Sequence, residues 1–365
     1  MTLPPARLPL LALALVALLA ALWGGLLRVG WSIPAGSPGM VAFHGPLMVS
    51  AFLGTVIGLE RAVAVGGRAP YLAPAVTGLG GLALVTGAPA PLGPLLLTLG
   101  GVGLCAIFVV IVRRQRALFT ATMACGTVAW LVGNALWLAG WPIYRVVPWW
   151  LGFLVLTIAG ERLELARFVL VSAGSRRIFA VLAAALAAAL LLTLVSLDLG
   201  MRVAGAAMAA LAVWLGGQDV ARRTVRQRGL PRFTALCLLS GYAWLGVGGL
   251  LAIVHGGVAA GMAYDAMLHA VFLGFVMAMI FGHAPIIFPA VLGRAVPFHA
   301  RFYVHLALLH ASLVLRVAGD LLGEVDARRW GGLLNVAAVA LFLASTVAAI
   351  AQGSSARGGA AAWRS

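Results

Sequence analysis

Twelve apolar stretches, each about the 20 residues a helix needs to cross a bilayer, divide this chain of 365 residues almost end to end. They fall at 8–27, 40–60, 70–88, 91–112, 118–139, 147–168, 178–197, 201–219, 233–255, 263–284, 302–322 and 330–351. The separations are weakest at 88–91 and at 196–200. Composition agrees: 63% of residues are hydrophobic and 9% charged, where a soluble domain carries about 25% charged residues. A soluble globular enzyme and a disordered protein are both excluded. The expectation is an all-α polytopic membrane protein with one transmembrane domain over 1–351 and a disordered cytoplasmic tail over 352–365. The N-terminal stretch is long enough to be a span rather than a signal peptide, so it reads as the first helix.

The formal charge of +16 comes from 25 basic and 9 acidic residues, and every basic residue is arginine. A nucleic-acid binder gathers such charge on one exposed face. Here the arginines stand in short breaks between apolar runs, so the expected partner is the lipid bilayer and not nucleic acid. Cytoplasmic loops carry the excess of positive charge. With the N-terminus inside, nineteen arginines fall on the inner side, among them Arg7, Arg61, Arg162, Arg167, the cluster at 222–232 and Arg364. Six fall outside: Arg28, Arg145, Arg202, Arg316, Arg328 and Arg329. That split is expected of twelve helices with both termini cytoplasmic, in a bacterial-type cytoplasmic (inner) membrane.

Aromatic residues at 31, 141, 144, 149 and 150 fall at predicted outer ends, where amphipathic rings favour the headgroup level. The 46 glycines, including Gly54 and Gly58 and the runs at 78–81, 100–103 and 246–249, predict closely approaching helix backbones. Cys105, Cys125 and Cys237 lie inside apolar runs without a CxxC spacing. They read as small buried hydrophobes, with no disulfide framework or covalent haem attachment.

An ionisable side chain inside a bilayer is a functional candidate by default. The seven histidines cluster, with none between Ala69 and Val254. The topology places His44, at the start of the second stretch, His255 and His269 near the outer leaflet. His283, His299, His305 and His310 fall toward the inner end of the tenth stretch, its connecting loop and the eleventh. Imidazole suits haem iron and copper, and His44 with His269 offers two rings on different helices at one depth. Asp265 precedes His269 by four residues, on the same helical face, where its carboxylate can accept the second ring N–H. Met48 follows His44 by four and is either a thioether ligand for Cu(I) or a core methionine. His283, His305 and His310 are candidates for a second metal or proton site. The five-residue spacing of the last two sets them about 140° apart on a helix.

Two acid–base doublets stand at inner helix ends, Glu60-Arg61 and Glu161-Arg162, the second followed by Glu164. Adjacent residues do not face each other on a helix, so each doublet needs partners elsewhere, for interfacial anchoring or as a proton entry route. Pro285 and Pro289 are expected to break the tenth helix just after His283.

The segment Phe43-His44-Gly45-Pro46-Leu47-Met48 resembles the His-Gly segment of helix 2 in haem-copper oxidase catalytic subunits, whose histidine is an outer-side ligand of the low-spin haem. Leu268-His269-Ala270 matches the partner position on helix 10. The chain as a whole is more similar to the NnrS family, polytopic proteins with haem and copper tied to nitric oxide metabolism. The best local match runs from Leu268 to Arg294 and includes Gly282-His283-Ala284-Pro285. The sixth stretch reads Ile158-Ala159-Gly160-Glu161-Arg162 where the oxidases have His-Pro-Glu-Val-Tyr, and the seventh has no histidine. An oxygen-reducing binuclear centre is therefore not expected, and whether the chain is an enzyme stays open. Glu60, Glu161 and His283 would sit at equivalent depths if the helices form three four-helix units, a pseudo-threefold bundle of the oxidase kind.

Three readings follow. The first is an inner-membrane protein holding a b-type haem between His44 and His269, with copper as a further candidate cofactor. It would serve nitric oxide metabolism or stress, or electron transfer with a redox partner. The second is a proton-coupled transporter using the intramembrane His, Glu and Arg residues. The third is an assembly or scaffold protein for a respiratory complex.

Overall fold

The computed structural model describes residues 7–166 and 171–362. Arg167 and Arg364 lie outside the described residues, as do the end of the sixth stretch and the end of the tail. Among the described residues there is no strand, and twelve helices are long and apolar enough to cross a membrane. They are α1 (Arg7–Arg28), α2 (His44–Val65), α3 (Ala69–Thr86), α4 (Leu92–Arg114), α5 (Leu118–Leu138) and α6 (Ile143–Leu165). The second half comprises α7 (Ala173–Val195), α8 (Leu197–Gln218), α9 (Leu230–His255), α10 (Met262–Leu292), α11 (Phe302–Leu322) and α12 (Val325–Gln352). The chain is a multi-pass, all-α membrane protein. All twelve expected stretches become helices, and an even number of crossings puts both ends on one side.

Short connections and local chemistry set the boundaries. Ser172 and Ser196 cap α7 and α8 by accepting from the amides of Ser175 and Leu199, which satisfies donors that have no partner inside the helix. Gly293 and Gly323 end α10 and α11 with φ of 64° and 77°, a conformation that carries no steric penalty only in glycine. Close approach is clearest between α8 and α9. A Cβ on Gly249 would lie 2.6 Å from the Gly205 carbonyl oxygen, and one on Gly205 would lie 2.5 Å from that of Gly249.

The helices are not equivalent in burial. In α6 83% of the apolar window is enclosed and in α10 67%, against 33% in α4 and α7. Packing runs from α3 through α12 mostly between chain neighbours, and α1 meets α12. α10 also packs on both α2 and α6. α6 and α10 are thus the most enclosed helices, and α2 packs against α10. Outward-facing Val195 and Val213 present apolar surface to the lipid.

A buried polar node ties α2, α4, α5 and α6 together. Ser50 donates to Asn134 Oδ1 at 2.7 Å and accepts from Trp130 at 2.9 Å. Trp150 donates to the same Asn134 oxygen at 3.0 Å, and Asn134 Nδ2 donates to the Leu97 carbonyl at 3.2 Å. Asn134→Ala leaves the Trp150 N–H and the Ser50 hydroxyl without acceptors. We expect it to lower stability by about 1–3 kcal/mol, measured by thermal unfolding in detergent, with Asn134→Gln intermediate.

Four sequence expectations change here. Trp149 and Trp150 are core residues rather than members of an outer aromatic belt, because α6 is central. Of the cysteines only Cys237 is buried, while Cys125 faces outward. Pro285 and Pro289 sit inside a helical run from Ala278 to Leu292 and do not break it. Transmembrane helices tolerate proline where neighbouring helices support them, and α9 packs against this segment, with Thr234 donating to the Gly282 carbonyl at 3.0 Å. At the C-terminus the backbone stays helical from Val325 to Ala362, past the boundary at 351.

The irregularity in α10 lies upstream instead. Residues Ala270–Met277 form a π-helical stretch directly after His269, and Leu47–Leu53 form another in α2, three residues after His44. π-turns are uncommon and concentrate at functional sites.

Candidate functional site

His44 and His269 face one another across a cavity of about 220 Å³ on the outer side of the bundle. Their ring centres are 6.4 Å apart and their planes differ by 18°, too far apart for stacking contact. Two metal–nitrogen bonds of about 2 Å each, with about 1.1 Å from each nitrogen to its ring centre, give a separation of about 6.2 Å. The observed spacing is close to that value.

The tautomers agree with that arrangement. His44 Nδ1 lies 2.6 Å from the Ala21 carbonyl oxygen, and His269 Nδ1 lies 2.9 Å from that of Asp265. Carbonyls only accept, so each Nδ1 carries the hydrogen and each Nε2 keeps its lone pair. Neither Nε2 has a hydrogen-bond partner among the described residues. Gly25 makes room for the first ring: a Cβ there would lie 2.9 Å from His44 Cε1 and 3.1 Å from Nδ1. Gly25→Ala is expected to push the His44 ring off its Ala21 carbonyl, and to broaden or abolish any metal-dependent absorption band that the wild type shows.

The second-nitrogen partner of His269 differs from expectation. The Asp265 backbone carbonyl takes the Nδ1 hydrogen, and the carboxylate is 3.4 Å away. That carboxylate is held instead by Arg316, at 2.9 and 3.1 Å. Arg328 pairs with Asp320 at 2.9 Å and lies 3.7 Å from Asp265. A bidentate guanidinium is the stronger partner, and it leaves the carboxylate bracing α10 against α11. Arg28, Arg316 and Arg328 all line the cavity. The sequence reading used them only as markers of the outer side; Arg316, in mid-helix with Asp320 four residues on, carried a signal that it was buried. Met48 also lines the cavity, whereas His255, half-buried at the end of α9, does not.

On the arginine-rich side the two doublets do find partners on other helices. Arg61 hydrogen-bonds Glu161 and lies 3.7 Å from Glu60. Arg162 makes a bidentate pair with Asp219, at 2.7 and 2.9 Å, and its third nitrogen lies 3.1 Å from His283 Nε2. Asp219 also accepts from the Tyr242 hydroxyl at 2.6 Å and from the Ala221 amide at 2.8 Å. His283 Nδ1 lies 2.7 Å from the Met279 carbonyl oxygen, so its Nδ1 donates and its Nε2 accepts from Arg162. Asp219 and Tyr242 were missed in the sequence, where an acid just past one helix and a tyrosine inside the next show no shared spacing.

Glu60, Glu161 and His283 line one cavity, of about 310 Å³. His283, His305 and His310 stand in separate surroundings. Both His283 nitrogens are engaged. His305 is caged by Phe233, Phe281, Phe302 and Phe342, with ring centres 4.9–6.0 Å away. His310 accepts from Trp244 at 3.1 Å. Among the described residues no group of three or more His, Cys, Asp or Glu side chains is placed to hold a metal ion.

Fold and site together define a polytopic helical membrane protein with paired intramembrane histidines over a buried charged layer. Residues 7–351 match the family described as Domain of unknown function (DUF8744), and the chain belongs to that family. Comparison with curated proteins gives no match.

Proposed function

We propose that this protein binds a b-type haem in a bacterial cytoplasmic membrane, with His44 and His269 as the two axial ligands. The observation that carries the reading is the near-parallel ring pair at 6.4 Å with both Nδ1 atoms against carbonyl oxygens. Leu22, Val49, Val147 and Phe272 supply an apolar wall, and Arg28, Arg316 and Arg328 supply positive charge suited to anionic propionates. The cavity volume is smaller than the roughly 300 Å³ and upward of usual ligand pockets, so wall side chains must move apart to admit a macrocycle. A haem with two histidine ligands supplies one-electron chemistry. With both axial positions taken by protein, electron transfer fits better than direct gas binding. A link to nitric oxide metabolism rests on the resemblance to the NnrS family.

The Ala21 and Asp265 carbonyls orient the two imidazoles and increase the basicity of the ligating nitrogens. Arg316 holds Asp265, and through it the first turns of α10, so that His269 keeps its depth. Iron, copper and haem content of the purified protein tests the proposal, with about one haem per chain and a Soret band expected. The small cavity volume and the presence of Met48 favour one further reading, a Cu(I) ion between the histidines with the thioether as third ligand. Copper at one per chain without a Soret band would establish that instead. Protein free of both, yet taking up a solute in response to a pH gradient, would support proton-coupled transport.

A further inference from the structure

On the arginine-rich side of the bundle, one corner gathers charge around the ends of α7, α8 and α9. Arg176 and Arg177 stand in the first turns of α7, and five more arginines lie between 222 and 232, along the connection from α8 to α9. All seven are exposed. Trp214 on α8 donates to both the carbonyl and the hydroxyl oxygen of Ser175 at 3.0 Å, which seats the start of α7 against the end of α8. Arg222 donates back to the Gly217 carbonyl at 2.9 Å, and Asp219 accepts from the Ala221 amide. The buried Arg162–Asp219 pair therefore anchors the turn that carries Arg222 and Arg223. Between residues 171 and 260 the only acids are Asp198, bound to Arg202 at the opposite end of α8, and Asp219, held by Arg162. Among the described residues none of the seven arginines is paired with a carboxylate. Topology accounts for positive charge on this side, but not for an anchored concentration of it at one corner. An apolar strip continues from that corner: Ile178 and Val181 on α7 are 55% and 66% exposed, and Val181 shares a helical face with Arg177. At the end of α8 the backbone is bare, since a Cβ on Gly216 or Gly217 would meet nothing within 4 Å.

We propose that this corner binds an anionic phospholipid, with its phosphate among the guanidiniums of α7 and the α8–α9 turn and an acyl chain along the Ile178–Val181 strip. A guanidinium pairs with two phosphate oxygens through parallel N–H···O bonds, and basic groups between helix ends at the membrane surface suit anionic headgroups. The two bare glycines leave room for the headgroup to approach the backbone. A nucleic acid or an acidic protein would meet the same charge, but neither has a use for apolar surface that starts one residue beyond Arg177 and faces hydrocarbon. A phospholipid uses both. The site stands at the opposite end of the bundle from the paired histidines and does not depend on what they bind.

The test is native mass spectrometry of the full-length protein in detergent, titrated with dioleoyl phosphatidylglycerol and, separately, with dioleoyl phosphatidylcholine. The first phosphatidylglycerol should bind at least about tenfold more tightly than phosphatidylcholine, and should raise the melting temperature by stabilising the folded chain. Arg177→Gln should weaken that binding about fivefold, and Arg177→Gln with Arg223→Gln about 30-fold, the effects of one and two basic groups at an anionic surface. Both side chains are exposed, so the melting temperature without lipid should not change. Arg113→Gln with Arg116→Gln removes the same charge from the same side, at the α4–α5 connection, and should leave the first lipid bound as in wild type. Equal weakening by that control pair would reveal a diffuse field in place of a site and overturn the proposal. So would equal binding of the two lipids, or displacement of phosphatidylglycerol by the same concentration of its water-soluble headgroup, glycerophosphoglycerol. Binding of a short single-stranded oligonucleotide or of polyglutamate in preference to phosphatidylglycerol would assign the corner to that partner and likewise overturn it.

Discussion

Replacing either His44 or His269 by alanine is expected to remove the Soret band of protein purified with haem supplied, and to reduce haem content at least about tenfold, the loss that follows when even a residue supporting a ligand is replaced. The two variants and the double variant should lose the same amount, because a bis-histidine site needs both rings. Added imidazole should restore part of the absorption in each single variant by filling the vacated position. Met48→Leu, which keeps the wall apolar, should leave the spectrum unchanged; loss of haem there would assign the methionine to the site. A structural role for the histidines makes a different forecast. Each ring is tied into the fold by one bond to a carbonyl, from Ala21 and Asp265, worth about 1 kcal/mol. A melting temperature lowered by a few degrees with an identical spectrum would falsify the ligand assignment.

The second large effect is on stability. Arg162 and Asp219 are 3% and 5% exposed and joined by two hydrogen bonds, with Tyr242, Ala221 and His283 around them. Replacing one member alone leaves the other charge buried without its counterion, which destabilises by about 3–5 kcal/mol. Arg162→Leu and Asp219→Leu should each show this in thermal unfolding, and the double variant should recover much of the loss. If the effects simply add, the pair is not coupled as its geometry indicates. Asp219 stands one residue past the end of α8. Burial alone would raise its pKa, but Arg162, the Tyr242 hydroxyl and the Ala221 amide outweigh that and hold the carboxyl below its ordinary value. Its contribution is therefore complete above the unfolded value of about 3.9 and lost as pH falls through the lower folded value. Wild type should lose stability on acidification in that range more steeply than the double variant.

The positions that matter were legible in the sequence to different degrees. His44 and His269 stood out because an imidazole inside an apolar helix is rare, and helix direction assigned both to one depth. Glu60, Glu161 and His283 were placed at a common level by the same reasoning and do share a cavity. Arg316 was used only as a topology marker, although its place inside an apolar helix with Asp320 four residues on signalled burial; its partner Asp265, on another helix, is visible only in the structure. The prolines at 285 and 289 were read as breaks because local sequence cannot show that α9 packs against this stretch and supports it. The π-helical stretches after the two histidines had no sequence signal at all.

Length and hydropathy by themselves determined twelve crossings and an all-α fold, because lipid satisfies no backbone hydrogen bond and leaves the helix as the economical answer for each apolar run. Helix order around the bundle, the enclosure of α6 and α10, and the partner of each buried charge were decided only by tertiary structure. Hydropathy has no direction once every face of a helix is apolar. Which face turns inward then depends on small residues, polar nodes such as Asn134, and ion pairs between helices far apart in the chain. The same packing sets the two histidine rings 6.4 Å apart, a distance that no spacing along the chain encodes.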